Sequence, residues 1–177
     1  MKKKIIILGS TGSIGKSLFN ILKKDKKNFE ISLLSINKNY NELLKQLNVF
    51  KVKHIIISDK NVYLKAKKHL RNKDIHVHND FKSIKQILNG KKVDYTMSAI
   101  SGLSGLQPTL ELIKFTKNIA VANKESIICG WELILKNLKK YKCNFIPIDS
   151  EHFSIMSLIK NENISSLDKI YITASGG

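Results

Sequence analysis

The stretch ILGSTGSIGKS, residues 7–17, follows an apolar start to the chain and can be read as two different phosphate-binding loops. Gly9, Gly12 and Gly15 recur every third residue directly after Ile5-Ile6-Ile7-Leu8, the spacing of a dinucleotide-binding strand–turn–helix unit. In that reading Gly9 permits a sharp turn out of the strand. Gly12 lets the backbone approach a pyrophosphate, and Gly15 allows the helix to pack closely on the sheet. The helix N-terminus supplies unpaired N–H groups and the positive end of its dipole. Gly15-Lys16-Ser17 also closes a near-complete mononucleotide P-loop, with Ser10 in place of its first glycine. That reading sends Lys16 to the β and γ phosphates and Ser17 to Mg²⁺. It needs a strand-end aspartate as well, which FIPID, residues 145–149, offers with Pro147 interrupting the strand.

Outward from this loop, short β-branched runs alternate with helical periodicity. The strands are expected at 4–8, 30–35, 54–57, 75–77, 95–98, 119–122, 144–148 and 170–174. Helices are expected at 13–24, 40–49, 62–70, 81–88, 105–115, 125–140 and 151–160. This order predicts an α/β fold: a Rossmann-like, doubly wound, mostly parallel sheet covered on both faces. The polar stretch 161–167 is the sequence's best boundary signal.

The chain has 177 residues, is 42% hydrophobic and carries a formal charge of +17. No apolar run is long enough to span a bilayer, and the basic start Met1–Lys4 leads into too short an apolar run for a secretory signal. A cytoplasmic location is therefore expected, with Cys129 and Cys143 reduced and structural. Arg71 is the lone arginine, and the lysines at 2–4, 23–27, 65–68, 91–92 and 139–142 do not form one stripe along the chain. Read from sequence, that pattern argues for compositional bias and against a nucleic-acid surface.

Three further segments carry chemistry. The second strand ends in Asn37-Lys38-Asn39, without the acid that would bind a ribose 2′-hydroxyl, so a 2′-phosphate fits better and NADPH is favoured over NADH. A polar loop in a lysine-rich chain explains these residues equally well. ANKES, residues 122–126, runs from a strand end into a helix and aims Asn123, Lys124 and Glu125 at the crevice, unless Asn123 or Ser126 only caps the helix. DSEH, residues 149–152, places Asp149 and Glu151 two apart, hard oxygen donors suited to Mg²⁺ or Mn²⁺ yet too few to enclose either ion. An acidic helix start is the plain alternative there. Tyr63 and Lys67 form a Y-x-x-x-K pair too early in the chain for a short-chain dehydrogenase. His76 and His78 alternate along one short strand.

Taken together, GSTGSIG at 9–15, ANKES at 122–126, DSEH at 149–152 and SGG at 175–177 closely resemble the N-terminal part of the 1-deoxy-D-xylulose 5-phosphate reductoisomerase family. The resemblance implies an NADPH- and metal-dependent reductoisomerase of the non-mevalonate isoprenoid pathway, acting on a small phosphorylated sugar. By this likeness Thr11, Gly12, Ser13, Ile14, Asn37, Lys38, Asn39, Asn123 and Glu125 contact the cofactor. Lys124, Ser150 and Ser175 contact substrate, and Asp149 and Glu151 bind the metal; Lys124, Asp149 and Glu151 are the catalytic set. Asn37 stands where glycine is common in the family. The likeness divides the chain into a cofactor domain, 1–148, and the truncated start of a catalytic α/β domain, 149–177. The family's chains continue into the rest of the catalytic domain, which holds a third carboxylate ligand and a lid, and then into a helical domain. An N-terminal fragment without turnover is thus expected, lacking most of the family's homodimer contacts. Outside the resemblance, another NADP-dependent dehydrogenase, a basic nucleic-acid-binding module and a P-loop NTPase remain as alternatives.

Overall fold

The computed structural model describes residues 1–148 and 150–172, with the side chain of Ser150 not included. Seven parallel strands form one sheet: β1 (Lys3–Leu8), β2 (Phe29–Ile36), β3 (His54–Ile57), β4 (His76–His78), β5 (Val93–Ser98), β6 (Thr116–Val121) and β7 (Asn144–Ile146). Their spatial order is β4-β3-β2-β1-β5-β6-β7. The chain winds outward from β1 to β4, then returns across the sheet to start again at β5, on the other side of β1. The order therefore reverses between β1 and β5, the place where open α/β sheets hold ligands beyond their strand ends.

Helices α1 (Ser13–Lys24), α2 (Tyr40–Val49), α3 (Lys60–His69), α4 (Ile84–Leu88), α5 (Leu106–Ile113) and α6 (Lys124–Tyr141) supply the crossovers. α7 (Ser150–Ile159) follows β7. The continuous apolar run of β1 has a simple cause: successive side chains point to opposite faces, and both faces are covered. Ile5 and Ile7 join Phe19, Leu22 and Leu43 on the side of α1 and α2. Ile6 and Leu8 join Ile84, Leu88 and Leu112 on the side of α4 and α5. A third cluster sets Ile119 and Val121 of β6 against Ile134 and Leu138 of α6. Burying a side chain of this size contributes on the order of 1.5–3 kcal/mol, so β1, buried on both faces, is the natural keel of the sheet.

The expected fold is the observed one, and α1, α2 and β3 begin and end where the sequence places them. Elsewhere local chemistry moves the boundaries. The expected helix over 81–88 opens with a 3-10 turn, Phe81–Ser83, because Asp80 accepts hydrogen bonds from the N–H groups of Lys82 and Ser83. The expected last strand, 170–174, is not found in its described part: Ile170–Ile172 are exposed and have no strand partner among the described residues. A β-branched run gives propensity, but a strand exists only where a neighbour takes up its backbone hydrogen bonds. His76 and His78 share a face with His54, whose ring stacks on that of His76 at 5.2 Å between centroids. Cys143 is buried, which pushes its thiol up to about 11, and Cys129 is exposed; both are free. No helix of the described residues is long and apolar enough to cross a membrane.

Candidate functional site

All the strands run the same way, so each loop that leaves a strand's carboxyl end emerges at one edge of the sheet. Thr11–Ile14 follow β1, Asn37–Asn39 follow β2, Asn123–Glu125 follow β6, and Glu151 lies in α7 after β7. The fold thus brings these separate segments to one edge. Asp149 and Ser175 lie outside the described residues, as does the side chain of Ser150.

The glycine loop is built from both sides. Gly9 has φ +71°, and a Cβ there would lie 2.5 Å from the carbonyl oxygen of Ala99, just beyond β5. The loop after β1 and the loop after β5 therefore meet backbone to backbone at the reversal point. A Cβ on Gly15 would run into the Gly9 carbonyl and Ser10, so the helix packs against its own entry turn. Gly12 is different: the nearest atom to a Cβ there is the Gly9 oxygen at 3.4 Å, and the residue is exposed. Its missing side chain opens space toward solvent instead of relieving a clash within the protein. Gly12 also stands immediately before α1 and offers no side-chain cap. The helix start is left as an anion-binding end, exposed at Gly12, Ser13 and Ile14.

The P-loop reading ends here. α1 begins at Ser13, so Lys16 and Ser17 lie inside the helix, and Ser17 Oγ donates to the Ser13 carbonyl at 3.0 Å. A mononucleotide loop needs the preceding residues to wrap a phosphate before the helix starts at its lysine. Dinucleotide geometry is what remains.

Three residues that the sequence did not single out for this purpose brace the loop. Ser35 Oγ accepts from the Gly9 N–H at 3.0 Å, and the Ser35 carbonyl accepts from the Ser10 N–H at 2.9 Å. Gln46 on α2 closes a reciprocal pair with Ser10: Ser10 Oγ donates to Gln46 Oε1, and Gln46 Nε2 donates to the Ser10 carbonyl, both at 2.8 Å. Ser10, Ser35 and Gln46 are all buried. A glutamine within a helix reads as surface, and only the packing of α2 beside the loop turns it into a brace. Gln46→Leu keeps the approximate volume but leaves two polar atoms of Ser10 without this partner. Leaving a buried polar group unpaired costs about 1–3 kcal/mol, so a loss of roughly 2–4 kcal/mol is expected, read as a lower urea midpoint at unchanged slope.

Asn123 is 4% exposed and joins two loops. Its Oδ1 accepts from the Ser126 N–H at 2.9 Å, capping α6, while its Nδ2 donates to the carbonyls of Ile100 and Gly102. The side chain is thus engaged in holding the loop after β5 against the start of α6. Lys124 and Glu125 are exposed in the first turn of that helix. Asn39 likewise caps α2, accepting from Glu42 N–H at 3.1 Å, whereas Asn37 and Lys38 are exposed at the end of β2. Asn37 Oδ1 accepts from Ser58 Oγ at 3.3 Å, which ties that loop to the end of β3. Glu151 is exposed at the start of α7. Among the described residues, no group of three His, Cys, Asp or Glu side chains is arranged to hold a metal.

A glycine-loop helix start at the reversal point of a parallel, doubly wound sheet defines a dinucleotide-binding α/β domain. Comparison with known proteins narrows this class. The sequence model of 1-deoxy-D-xylulose 5-phosphate reductoisomerase matches residues 5–130, and that of the reductoisomerase C-terminal domain matches residues 145–177. The chain belongs to the 1-deoxy-D-xylulose 5-phosphate reductoisomerase family. The 1-deoxy-D-xylulose 5-phosphate reductoisomerase of Pelagibacter ubique (strain HTCC1062) is 59% identical over 176 residues, covering 99% of this chain and 45% of its own length. Among solved structures, the Zymomonas mobilis reductoisomerase in complex with NADPH superimposes with a TM-score of 0.78 at 28% identity, covering 86% of this chain and 40% of that one. A reductoisomerase in complex with NADPH, fosmidomycin and magnesium gives 0.80 at 29% identity, over 90% of this chain and 40% of that one. The chain spans a little under half the length of the curated relatives it matches.

Proposed function

We propose that this chain is the cofactor-binding part of an enzyme that converts 1-deoxy-D-xylulose 5-phosphate to 2-C-methyl-D-erythritol 4-phosphate with NADPH and Mg²⁺ or Mn²⁺, in the isoprenoid pathway named above. The observation that carries the reading is the uncapped start of α1, with Gly12 open to solvent above a loop fixed by Ser10, Ser35 and Gln46. That surface suits a pyrophosphate, and the family membership favours NADPH as its bearer. Thr11, Gly12, Ser13 and Ile14 would face the pyrophosphate and adjoining ribose. Asn37, Lys38 and Asn39 would face the 2′-phosphate, with Lys38 as the cation. Asn123 would act by holding the β5 loop in place, with Glu125 beside it.

Lys124, Ser150 and Ser175 are assigned to the substrate, and Asp149 and Glu151 to the metal. A bound divalent ion would supply Lewis acidity, polarising the substrate's carbonyl and hydroxyl oxygens for rearrangement and hydride transfer. Two carboxylates are too few to enclose the ion, so a third donor from the remainder of the family's longer chain is needed. Residues 1–148 are read as the cofactor domain and 149–177 as the start of the catalytic one. On this reading the enzyme works in the cytoplasm, and residues 1–148 bind its cofactor.

The test is a calorimetric titration of the chain with NADPH, NADH and Mg-ATP. Binding of NADPH in preference to the others is expected. Preference for Mg-ATP, or equal affinity for NADPH and NADH, would overturn the cofactor assignment. Lys38→Glu places a negative charge where the 2′-phosphate is assigned; NADPH is expected to bind about tenfold more weakly, as befits an exposed charge contact, with NADH unaffected.

A further inference from the structure

A doubly wound parallel sheet sorts its loops by direction: every helix returns the chain to the amino-terminal edge, where the next strand begins. The lysines that are scattered in sequence are gathered by this topology. Lys2–Lys4 start β1, Lys51 and Lys53 precede β3, Lys73 precedes β4, and Lys91 and Lys92 precede β5. The sequence-level impression that the positive charge has no focus is corrected by the fold.

At this edge lies a concavity of about 900 Å³, lined by Lys4, Lys51, Lys53, Lys73, Lys91 and Lys92 and by only two acids, Glu30 and Asp74. Helix dipoles explain lysines in last turns, such as Lys23, Lys24, Lys67 and Lys68. They do not explain these six, which lie outside any helix. Among the described residues only Lys53 of the six forms an ion pair, with Asp74 at 3.6 Å, both side chains largely exposed; Lys4 meets Asp94 through its backbone N–H alone. A pair so placed does little to neutralise the wall. Lys92 Nζ donates to the Tyr141 carbonyl at 2.5 Å. His54 also lines the hollow, but burial and the neighbouring His76, His78 and Lys53 hold its pKa below the ordinary value, against Asp74, so it adds little charge at neutral pH. Six lysines line the hollow against two acids, an excess of positive charge that an anion there would offset.

The chemistry narrows the anion. Lysines bind phosphate as point charges, without the planar fork by which arginine reads bases, and Arg71 does not line the hollow. Of its two aromatic side chains, Phe50 is 4% exposed and the His54 ring is already stacked on that of His76, which leaves little ring surface for a nucleobase. The volume is that of a small-molecule site. We propose that this hollow binds a compact polyphosphate anion of at least three phosphate groups, at the opposite edge of the sheet from the glycine loop.

Inorganic tripolyphosphate is the probe, titrated by calorimetry into the whole chain at low and moderate ionic strength, with saturating NADPH present to occupy the glycine loop. One saturable site is expected, weakening with salt. Lys51→Gln/Lys53→Gln/Lys73→Gln should bind about tenfold or more weakly, since three close charge contacts are lost. A control with the same charge change away from this edge, Lys60→Gln/Lys82→Gln/Lys136→Gln, with Lys60 and Lys82 in segments that follow strand carboxyl ends, should shift binding by less than about twofold. The single Lys51→Gln variant, about threefold weaker, serves if the triple variant loses its circular dichroism spectrum. Equal weakening by both triple variants would mean diffuse charge only, and would overturn the proposal. So would non-saturable binding, or displacement of the probe by duplex DNA at matched phosphate concentration, which would mark a nucleic-acid surface instead.

Discussion

Gly9→Ala is expected to destabilise the chain by about 2–5 kcal/mol, combining left-handed backbone strain of roughly 1–2 kcal/mol with overpacking of roughly 1–3 kcal/mol. At φ +71° an alanine is strained, and its Cβ would stand 2.5 Å from the Ala99 carbonyl oxygen, on backbone that has no rotamer to yield. β1 and β5 pair from Ile5 to Leu8 directly below this point, so relief by backbone movement must open the centre of the sheet. A fall in Tm of about 5–15 °C follows for a chain of this size. Gly90→Ala is the built-in control. Gly90 has φ +75°, but nothing lies within 4 Å of a Cβ there. It should lose only the conformational part, about 1 kcal/mol. Equal losses at the two positions would show that φ alone matters and that the strand-end contact does not.

Gly12→Val separates binding from folding. Gly12 has φ −75° and ψ 172°, extended backbone that any residue adopts, and the nearest atom to its Cβ is 3.4 Å away. The fold should therefore tolerate the branched side chain, with Tm within about 2 °C of the parent. NADPH binding should fall by about 100-fold or more, because the new methyl groups occupy the pyrophosphate's approach and block charge-assisted bonds to the helix start, each worth about 1.5–3 kcal/mol. Calorimetry and a thermal melt on the same sample check both halves. Unchanged NADPH affinity would remove this loop from the proposed cofactor site.

The elements that the sequence made legible are those whose local signals agree with their packing. Ile5–Leu8 of β1 are apolar because they are buried on both faces, and α2 starts at Tyr40 because Asn39 caps it. The glycine spacing was likewise readable, since each glycine answers a local demand of turn, access or close packing. What sequence could not supply is partnership across distance. Gln46 meets Ser10 from 36 positions away, and the hollow at the strand starts draws lysines from segments spread between Lys4 and Lys92. The pull of Asn123 on the loop after β5 is of the same kind: the cap was foreseeable, but the second use of the amide, on Ile100 and Gly102, depends on how β5 and β6 lie side by side.

The bracing of the glycine loop by Ser35 and Gln46 bears on the kinetics and heat of ligand capture. The turn between β1 and α1 has its own internal hydrogen bonds, Gly12 N–H to the Gly9 carbonyl and Lys16 N–H to the Gly12 carbonyl. A dinucleotide arriving there meets a receptor that has no ordering left to do at this point, so little conformational entropy is lost in the loop. The heat-capacity change on binding should then scale with the apolar area covered and carry no signature of coupled folding. Loosening the brace should show first as faster dissociation, because the preformed shape is what retains the ligand once it has landed.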